Sequence, residues 1–183
     1  MGDIGLLAAA VLVAGVSSAQ AEDTIKIGSS IPATGNLPFF GQHSRWGTEL
    51  AVAEANANGG VLGKKIKVDF QDNRCNPSEG VKSVSQMLSD KKYVAIFDGL
   101  CSSVALAIMP LVERAQVPFV VANASATAIA EKSGAGGNKW TFKVNPSDAG
   151  LAKALVDWLY THKQAEGIAV MGEDTDFGRS GAM

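Results

Sequence analysis

The sequence predicts an α/β fold in which a parallel β-sheet carries helices on both faces. Two observations support this prediction. Short apolar runs of four to six residues alternate with longer helical stretches, and twenty glycines provide the tight turns that such an alternation needs. Short apolar strands separated by helical crossovers are typical of parallel sheets that are buried on both sides.

The predicted elements follow one another in strand–helix order. Strands are predicted at 24–28, 65–70, 93–97, 118–121, 140–144 and 167–171. Helices are predicted at 44–57, 77–89, from about 102 and at 151–161. The first helix places Trp46, Leu50 and Ala53 on one face, and Asn76 followed by Pro77 and Glu79 is a typical helix start.

The first 21 residues have the pattern of a secretory signal peptide. An apolar run at 4–16 precedes Ala19-Gln20-Ala21, which is a small-x-small cleavage site. The run is too short to span a bilayer, so the mature chain is expected to begin at Glu22 and to be soluble and secreted.

Export also changes the interpretation of Cys75 and Cys101, the only two cysteines. An oxidising compartment favours a disulfide between them, and two free thiols are the alternative. A metal site is not predicted, because His43 and His162 show no ligand spacing.

The candidate ligand site lies where the predicted strands end. Ligands of open parallel sheets bind outside the carboxyl ends of the strands. Three such ends, at 29–35, 98–103 and 122–127, are rich in serine, threonine and glycine. Ser102 and Ser103 would open a helix, where free N–H groups favour a carboxylate. The alternative, that these serines only cap a helix, is equally compatible with the spacing.

Several other functions lack their signature. A net charge of −2 without a basic block does not predict a nucleic-acid partner. No G-x-S-x-G elbow or P-loop occurs, no motif links a histidine to a serine, and no cofactor is predicted, so the chain is not expected to be an enzyme. Glu173, Asp174 and Asp176 are predicted to form a solvated acidic loop rather than a cation site.

From residue 22 onward the sequence resembles the leucine/isoleucine/valine-binding protein family, the type I periplasmic solute-binding proteins of ABC importers. The resemblance rests on six segments: IKIGSSIPATG at 25–35, FGQHSRWGTELAVAEANANGG at 40–60, QDNRCNPSEGV at 71–81, GLCSS at 99–103, VPFVVANASAT at 117–127 and GEDTDFG at 172–178. The D-x-x-C-x-P and L-C-S-S segments are the most specific, because the family joins those two cysteines in a disulfide.

The resemblance implies two α/β lobes that close around a solute. It implies that residues 22–146 form a first lobe, which is incomplete. Residues 147–183 would form a crossover and the start of a second lobe, so the chain is expected to be truncated. It also implies that Ser102 holds the ligand carboxylate and that Ala124 or Ser125, together with Thr127, holds carboxylate and amine. Phe40 matches an aromatic before the first helix, and Phe177 replaces a tyrosine and makes its wall more apolar.

The function implied is capture of an amino acid, of the branched-chain type or similar, for a membrane permease. The protein is expected to be monomeric at full length. Two alternatives remain open: binding of aromatic or aliphatic carboxylic acids, and a sensory or regulatory module for amino acids or amides.

Overall fold

The computed structural model describes residues 24–134, 137–162 and 167–182. Within them the chain alternates strands and helices. The strands are β1 (Ile25–Ile31), β2 (Ile66–Asp72), β3 (Tyr93–Asp98), β4 (Phe119–Val121) and β5 (Thr141–Lys143). The helices are α1 (Pro38–Ala57), α2 (Pro77–Ser89), α3 (Ser102–Ala115), α4 (Thr127–Lys132), α5 (Asp148–His162) and α6 (Asp176–Gly181). The predicted signal peptide lies outside the described residues.

The five strands form one sheet in the order β2-β1-β3-β4-β5, and every pairing is parallel. The chain first adds β2 on one side of β1 and then crosses over to add β3 on the other side. Crossovers of this kind need helices between the strands. The predicted parallel α/β fold is therefore confirmed.

Helices cover both faces of the sheet, although to different degrees. Gly28 approaches Met87 of α2, whereas its neighbour Ile27 lines a groove beside α1. Because successive strand residues point to opposite faces, α1 and α2 lie on opposite sides. The buried core is formed mainly by residues of α2, α3 and the central strands: Val84, Met87, Ile96, Val104, Ile108, Val112, Phe119 and Val121.

The start of α2 follows the sequence prediction. The side chain of Asn76 accepts hydrogen bonds from the backbone N–H groups of Ser78, at 2.9 Å, and Glu79, at 3.2 Å. These bonds satisfy two donors that the first turn of a helix leaves without an intrahelical acceptor. The cap fixes the point where the chain turns from the β2 end into α2.

Two sequence predictions about local structure are wrong, and one helix was missed. Residues 167–171 do not form a strand, because no neighbouring strand pairs with them among the described residues, and Val170 is 67% exposed. Helix α1 begins at Pro38 rather than near Ser44, so Phe40 lies inside the helix and not before it. Helix α4 was not predicted.

The face of α1 that carries Trp46 and Leu50 is not a core face. Trp46 is 57% and Leu50 71% exposed. Their spacing correctly indicated a helix, but spacing cannot show whether another element covers that face.

None of the helices formed by the described residues has the length and hydropathy needed to cross a membrane.

Candidate ligand-binding cleft

A cleft of about 410 Å³ opens at the carboxyl edge of the sheet. It lies where the chain connections from β1 and β3 run to opposite sides, the position at which doubly wound sheets bind ligands. Its volume is in the range of small-molecule sites. The lining residues are Leu37, Phe40, Cys75, Leu100, Cys101, Ser102, Ser103, Asn123, Ser125, Glu173, Thr175 and Phe177.

The structure brings most of the predicted site residues together in this cleft. Phe40, Ser102, Ser103, Ser125 and Phe177 all line it, although they come from four separate parts of the chain. The two predicted cysteines line it as well. The two other predicted residues, at positions 124 and 127, are not part of this lining and are described below.

One end of the cleft is polar and is built on the start of α3. Ser102 is only 2% exposed, and its Oγ accepts a hydrogen bond from the backbone N–H of Ala126 at 3.2 Å. Its own hydroxyl hydrogen remains able to donate to a ligand. No side chain caps α3, so the N–H groups of its first turn are also donors. This end can therefore receive a carboxylate.

The turn before α3 requires glycine. Gly99 has φ of 72°, and a Cβ there would lie 3.0 Å from Cζ of Phe119 and 3.1 Å from Cβ of Ala105. A side chain at this position would be strained and would press on the core. The absence of a side chain at Gly99 thus lets the turn pass close to Phe119 before the chain reaches Ser102.

The walls between the two ends are apolar. Leu37 and Leu100 contribute aliphatic surface, and Phe40 and Phe177 contribute rings that are 54% and 50% exposed. Helix α1 reaches the cleft because Gly41 lies against Pro32, where a Cβ would come within 2.1 Å of the Pro32 carbonyl oxygen. An apolar ligand side chain would be removed from water between these walls.

Glu173 is the one charged side chain among the described residues that line the cleft. Its Oε1 accepts a hydrogen bond from the hydroxyl of Thr175 at 2.6 Å, and it is exposed. The prediction of a solvated acidic loop did not place Glu173 in the cleft, because no local sequence signal shows where this loop packs.

Ala124, Ser125 and Thr127 differ in their environments. Ala124 is buried in the core, whereas Ser125 lines the cleft and its carbonyl accepts from the N–H of Asp148 at 2.9 Å. The Thr127 hydroxyl accepts from the N–H of Ala149 at 3.1 Å and from the hydroxyl of Ser180 at 3.3 Å. Thr127 therefore lies at the junction of α4 with α5 and α6.

Cys75 and Cys101 form the predicted disulfide, with a Cα–Cα distance of 5.6 Å. It joins the loop after β2 to the residue that precedes Ser102.

Neither histidine of the described chain lines the cleft. His43 Nδ1 bonds the carbonyl of Phe39, and His162 Nδ1 bonds the carbonyl of Trp158. The described residues contain no group of side chains arranged to hold a metal ion.

Known proteins resemble this chain in sequence and in fold. A family profile described as periplasmic binding protein matches residues 24–183. Leu/Ile/Val-binding protein homolog 7 of Brucella suis is 32% identical over 95% of this chain. The chain spans about 44% of the length of that relative.

Solved structures show the same fold. LivJ of Streptococcus pneumoniae, a branched-chain amino acid transporter substrate binding protein in complex with isoleucine, has a TM-score of 0.79 at 24% identity, over 87% of this chain and 44% of LivJ. A solute binding protein of an ABC transporter from R. palustris, in complex with 4-hydroxybenzoate, has a TM-score of 0.72 at 25% identity, over 87% of this chain and 42% of its own. The chain belongs to the type I periplasmic binding proteins, in the family of the Leu/Ile/Val-binding proteins.

Proposed function

We propose that this chain forms the ligand-binding cleft of a periplasmic solute-binding protein that delivers an amino acid, of the branched-chain type or similar, to the permease of an ABC importer. The observation that carries the proposal is the charge pattern of the cleft. Uncapped N–H groups and the Ser102 hydroxyl form one end, and Glu173 supplies a negative charge elsewhere in the lining.

A zwitterion is complementary to this pattern. Its carboxylate would receive hydrogen bonds from Ser102, Ser103 and the first turn of α3, where the helix dipole favours an anion. Its ammonium group would pair with Glu173 through a charge-assisted hydrogen bond. The apolar walls would then bury an aliphatic side chain, as a branched-chain amino acid presents.

The relatives support the importer part of the proposal. The curated relatives are named Leu/Ile/Val-binding protein homologs, and several similar structures are named as transporter substrate-binding proteins. Because the chain spans less than half of their length, residues beyond the matched part would also contact the solute. The permease would recognise the complete protein in the periplasm.

The experiment is a thermal-shift screen of the full-length protein with L-isoleucine, L-leucine, polar amino acids and 4-hydroxybenzoate. We expect L-isoleucine or L-leucine to raise the melting temperature, since a ligand at a hundred times its dissociation constant stabilises the folded state by about 2.7 kcal/mol. An absence of shift with every amino acid would contradict the proposal.

A matched pair of variants sharpens the screen. Glu173→Gln removes the carboxylate that lines the cleft, and Asp174→Asn removes the neighbouring one, which is not part of the lining and pairs with Arg179. We expect Glu173→Gln to weaken L-isoleucine binding by at least about tenfold and Asp174→Asn to leave it unchanged. Equal effects of the two variants would remove the assigned role of Glu173.

Aromatic carboxylic acids are the second candidate, favoured by the rings of Phe40 and Phe177 in the lining. Aromatic rings prefer offset or edge-to-face contact with one another, so these two would suit a benzoate. The R. palustris structure in complex with 4-hydroxybenzoate is consistent with this candidate. A thermal shift with 4-hydroxybenzoate and none with amino acids would favour it over the first.

A further inference from the structure

Four consecutive residues at the end of β2 and just beyond it, Asp72 to Cys75, connect the two sides of the cleft. We call them the 72–75 segment. Its first residue is bonded to the loop that leads into α1, and its last residue is bonded to the start of α3. The apolar wall around Phe40 and the polar end around Ser102 are thus tied to one short piece of chain.

Asp72 holds the loop between β1 and α1. Its Oδ1 accepts hydrogen bonds from the backbone N–H groups of Ala33, at 2.9 Å, and Thr34, at 3.2 Å, and its Oδ2 accepts from the Thr34 hydroxyl. Bonds to a carboxylate are stronger than bonds between neutral groups. The loop it holds continues directly into Leu37 and Phe40, which line the cleft, whereas Asp72 does not line it.

The middle of the 72–75 segment is fixed from inside the fold. Asn73 is fully buried; its Nδ2 donates to Ser30 Oγ at 3.1 Å and its Oδ1 accepts from the N–H of Cys75 at 2.8 Å. Arg74 and Cys75 both adopt positive φ, 52° and 56°. Non-glycine residues hold this backbone conformation only where their surroundings require it.

The end of the segment reaches the polar end of the cleft. Cys75 is joined by its disulfide to Cys101, which is the N-cap residue of α3 and the neighbour of Ser102. No side-chain hydrogen bond caps α3, so the disulfide and the Ser102–Ala126 bond are the side-chain links that hold its first residues in place among the described contacts. A shift of Cys75 would therefore be passed to the donors that face a ligand carboxylate.

We propose that Asp72 and the Cys75–Cys101 disulfide are positioning residues that act as one unit, setting the separation between the Phe40 wall and the Ser102 end and thereby the affinity for the solute. This inference rests on the proposed function for its affinity part. The geometric part concerns the unliganded cleft and stands independently of which solute binds.

The test is a double-mutant cycle on the full-length protein, with L-isoleucine and 4-hydroxybenzoate as calorimetric probes. The two changes are Asp72→Asn and reduction of the disulfide by dithiothreitol, measured well below the melting temperature of each form. We expect each change alone to weaken binding of the probe about tenfold. Together they should weaken it by clearly less than the product, because residues of one unit are not additive.

Asp69→Asn is the matched control. Asp69 lies on the same strand and pairs with Lys26 and Lys67, but it makes no contact with the α1 loop among the described contacts. We expect it to leave the affinity unchanged. If Asp72→Asn fails to fold, Thr34→Val removes the hydroxyl bond from the other partner; a smaller loss of affinity is expected, because the two backbone N–H bonds to Asp72 remain.

Amide hydrogen exchange separates failure of this inference from failure of the proposed function. Asp72→Asn and reduction should each speed exchange at both 33–41 and 100–104, and Asp69→Asn at neither. If wild type binds neither probe, the proposed function fails and exchange alone decides the geometric part. Faster exchange confined to 33–41, an unchanged affinity in Asp72→Asn, or effects that simply multiply would overturn the inference.

Discussion

The two walls of the cleft are built in different ways. The first wall, which contains Cys101, Ser102 and Ser125, is buried and cross-linked: Ser102 is 2%, Cys101 6% and Ser125 9% exposed, and the disulfide between Cys101 and Cys75 is part of it. The second wall, formed by 173–177, is more exposed: bonds within its own loop shape it, and it is tied to the first wall through the bonds between Ser180 and Thr127. Under the proposed function, the first wall would be preorganised for a carboxylate, whereas the second would contribute mainly to selectivity.

The largest expected difference is in stability, and two phenylalanines measure it. Phe119 is fully buried beneath Gly99 in the first wall, whereas Phe177 is 50% exposed in the second. We expect Phe119→Ala to lower the free energy of unfolding by about 3–5 kcal/mol, as truncation of a buried aromatic does. Phe177→Ala should lower it by less than about 1 kcal/mol. Urea unfolding of both variants checks this, and equal losses would contradict the contrast between the walls.

Ser102 is expected to matter for both stability and binding. Ser102→Ala leaves the buried N–H of Ala126 without its acceptor, which should cost about 1–3 kcal/mol of unfolding free energy. Ser103→Ala, at the more exposed neighbouring position, should cost less than about 0.5 kcal/mol. Chemical denaturation of both variants tests this. A Ser102→Ala protein as stable as wild type would show that the bond to Ala126 is not formed in solution.

Thr127 links the two walls, and its loss should have a moderate effect. Thr127→Val keeps the shape but removes the acceptor for the Ala149 N–H and the Ser180 hydroxyl. We expect a decrease of about 1 kcal/mol in unfolding free energy. Faster hydrogen exchange at 148–150 and 176–181 should accompany it, and protection unchanged in both ranges would contradict the link.

The smallest effect concerns acid stability of the first wall. Burial alone would raise the pKa of Asp72, but hydrogen bonds from Thr34, Arg74 and Ala33 outweigh it and hold the pKa below its ordinary value of 3.8. Asp72 therefore stabilises the fold above about pH 4, and this contribution is lost as the pH falls through the lowered folded-state pKa. The difference in unfolding free energy between wild type and Asp72→Asn should be constant between about pH 5 and about pH 7 and should shrink in acid. A difference that grows as the pH falls would contradict this.

Local patterns were sufficient to predict most elements around the first wall, although not the start of α1. Apolar runs with glycine-containing turns indicated β1 to β5, and Asn76 with Pro77 indicated the start of α2. Ser102 and Ser103 were recognised because they follow a strand and open a helix. All of these features depend on neighbours in the sequence.

The second wall depends on contacts that no local pattern encodes. Residues 167–171 have the composition of a strand but lack a paired neighbour in the described chain. Glu173 reaches the cleft only because its loop folds against the first wall, where Ser180 bonds Thr127. The spacing of Trp46 and Leu50 showed a helix but could not show that the face is exposed.

The central claim is that Ser102 and α3 receive a carboxylate while Glu173 receives an ammonium group. The most direct test is calorimetric titration of the full-length protein with L-isoleucine and with 3-methylpentanoate, which lacks the amine. We expect wild type to prefer L-isoleucine by more than about tenfold, Glu173→Gln to abolish the preference, and Ser102→Ala to weaken both ligands equally. A preference that survives Glu173→Gln would contradict the claim.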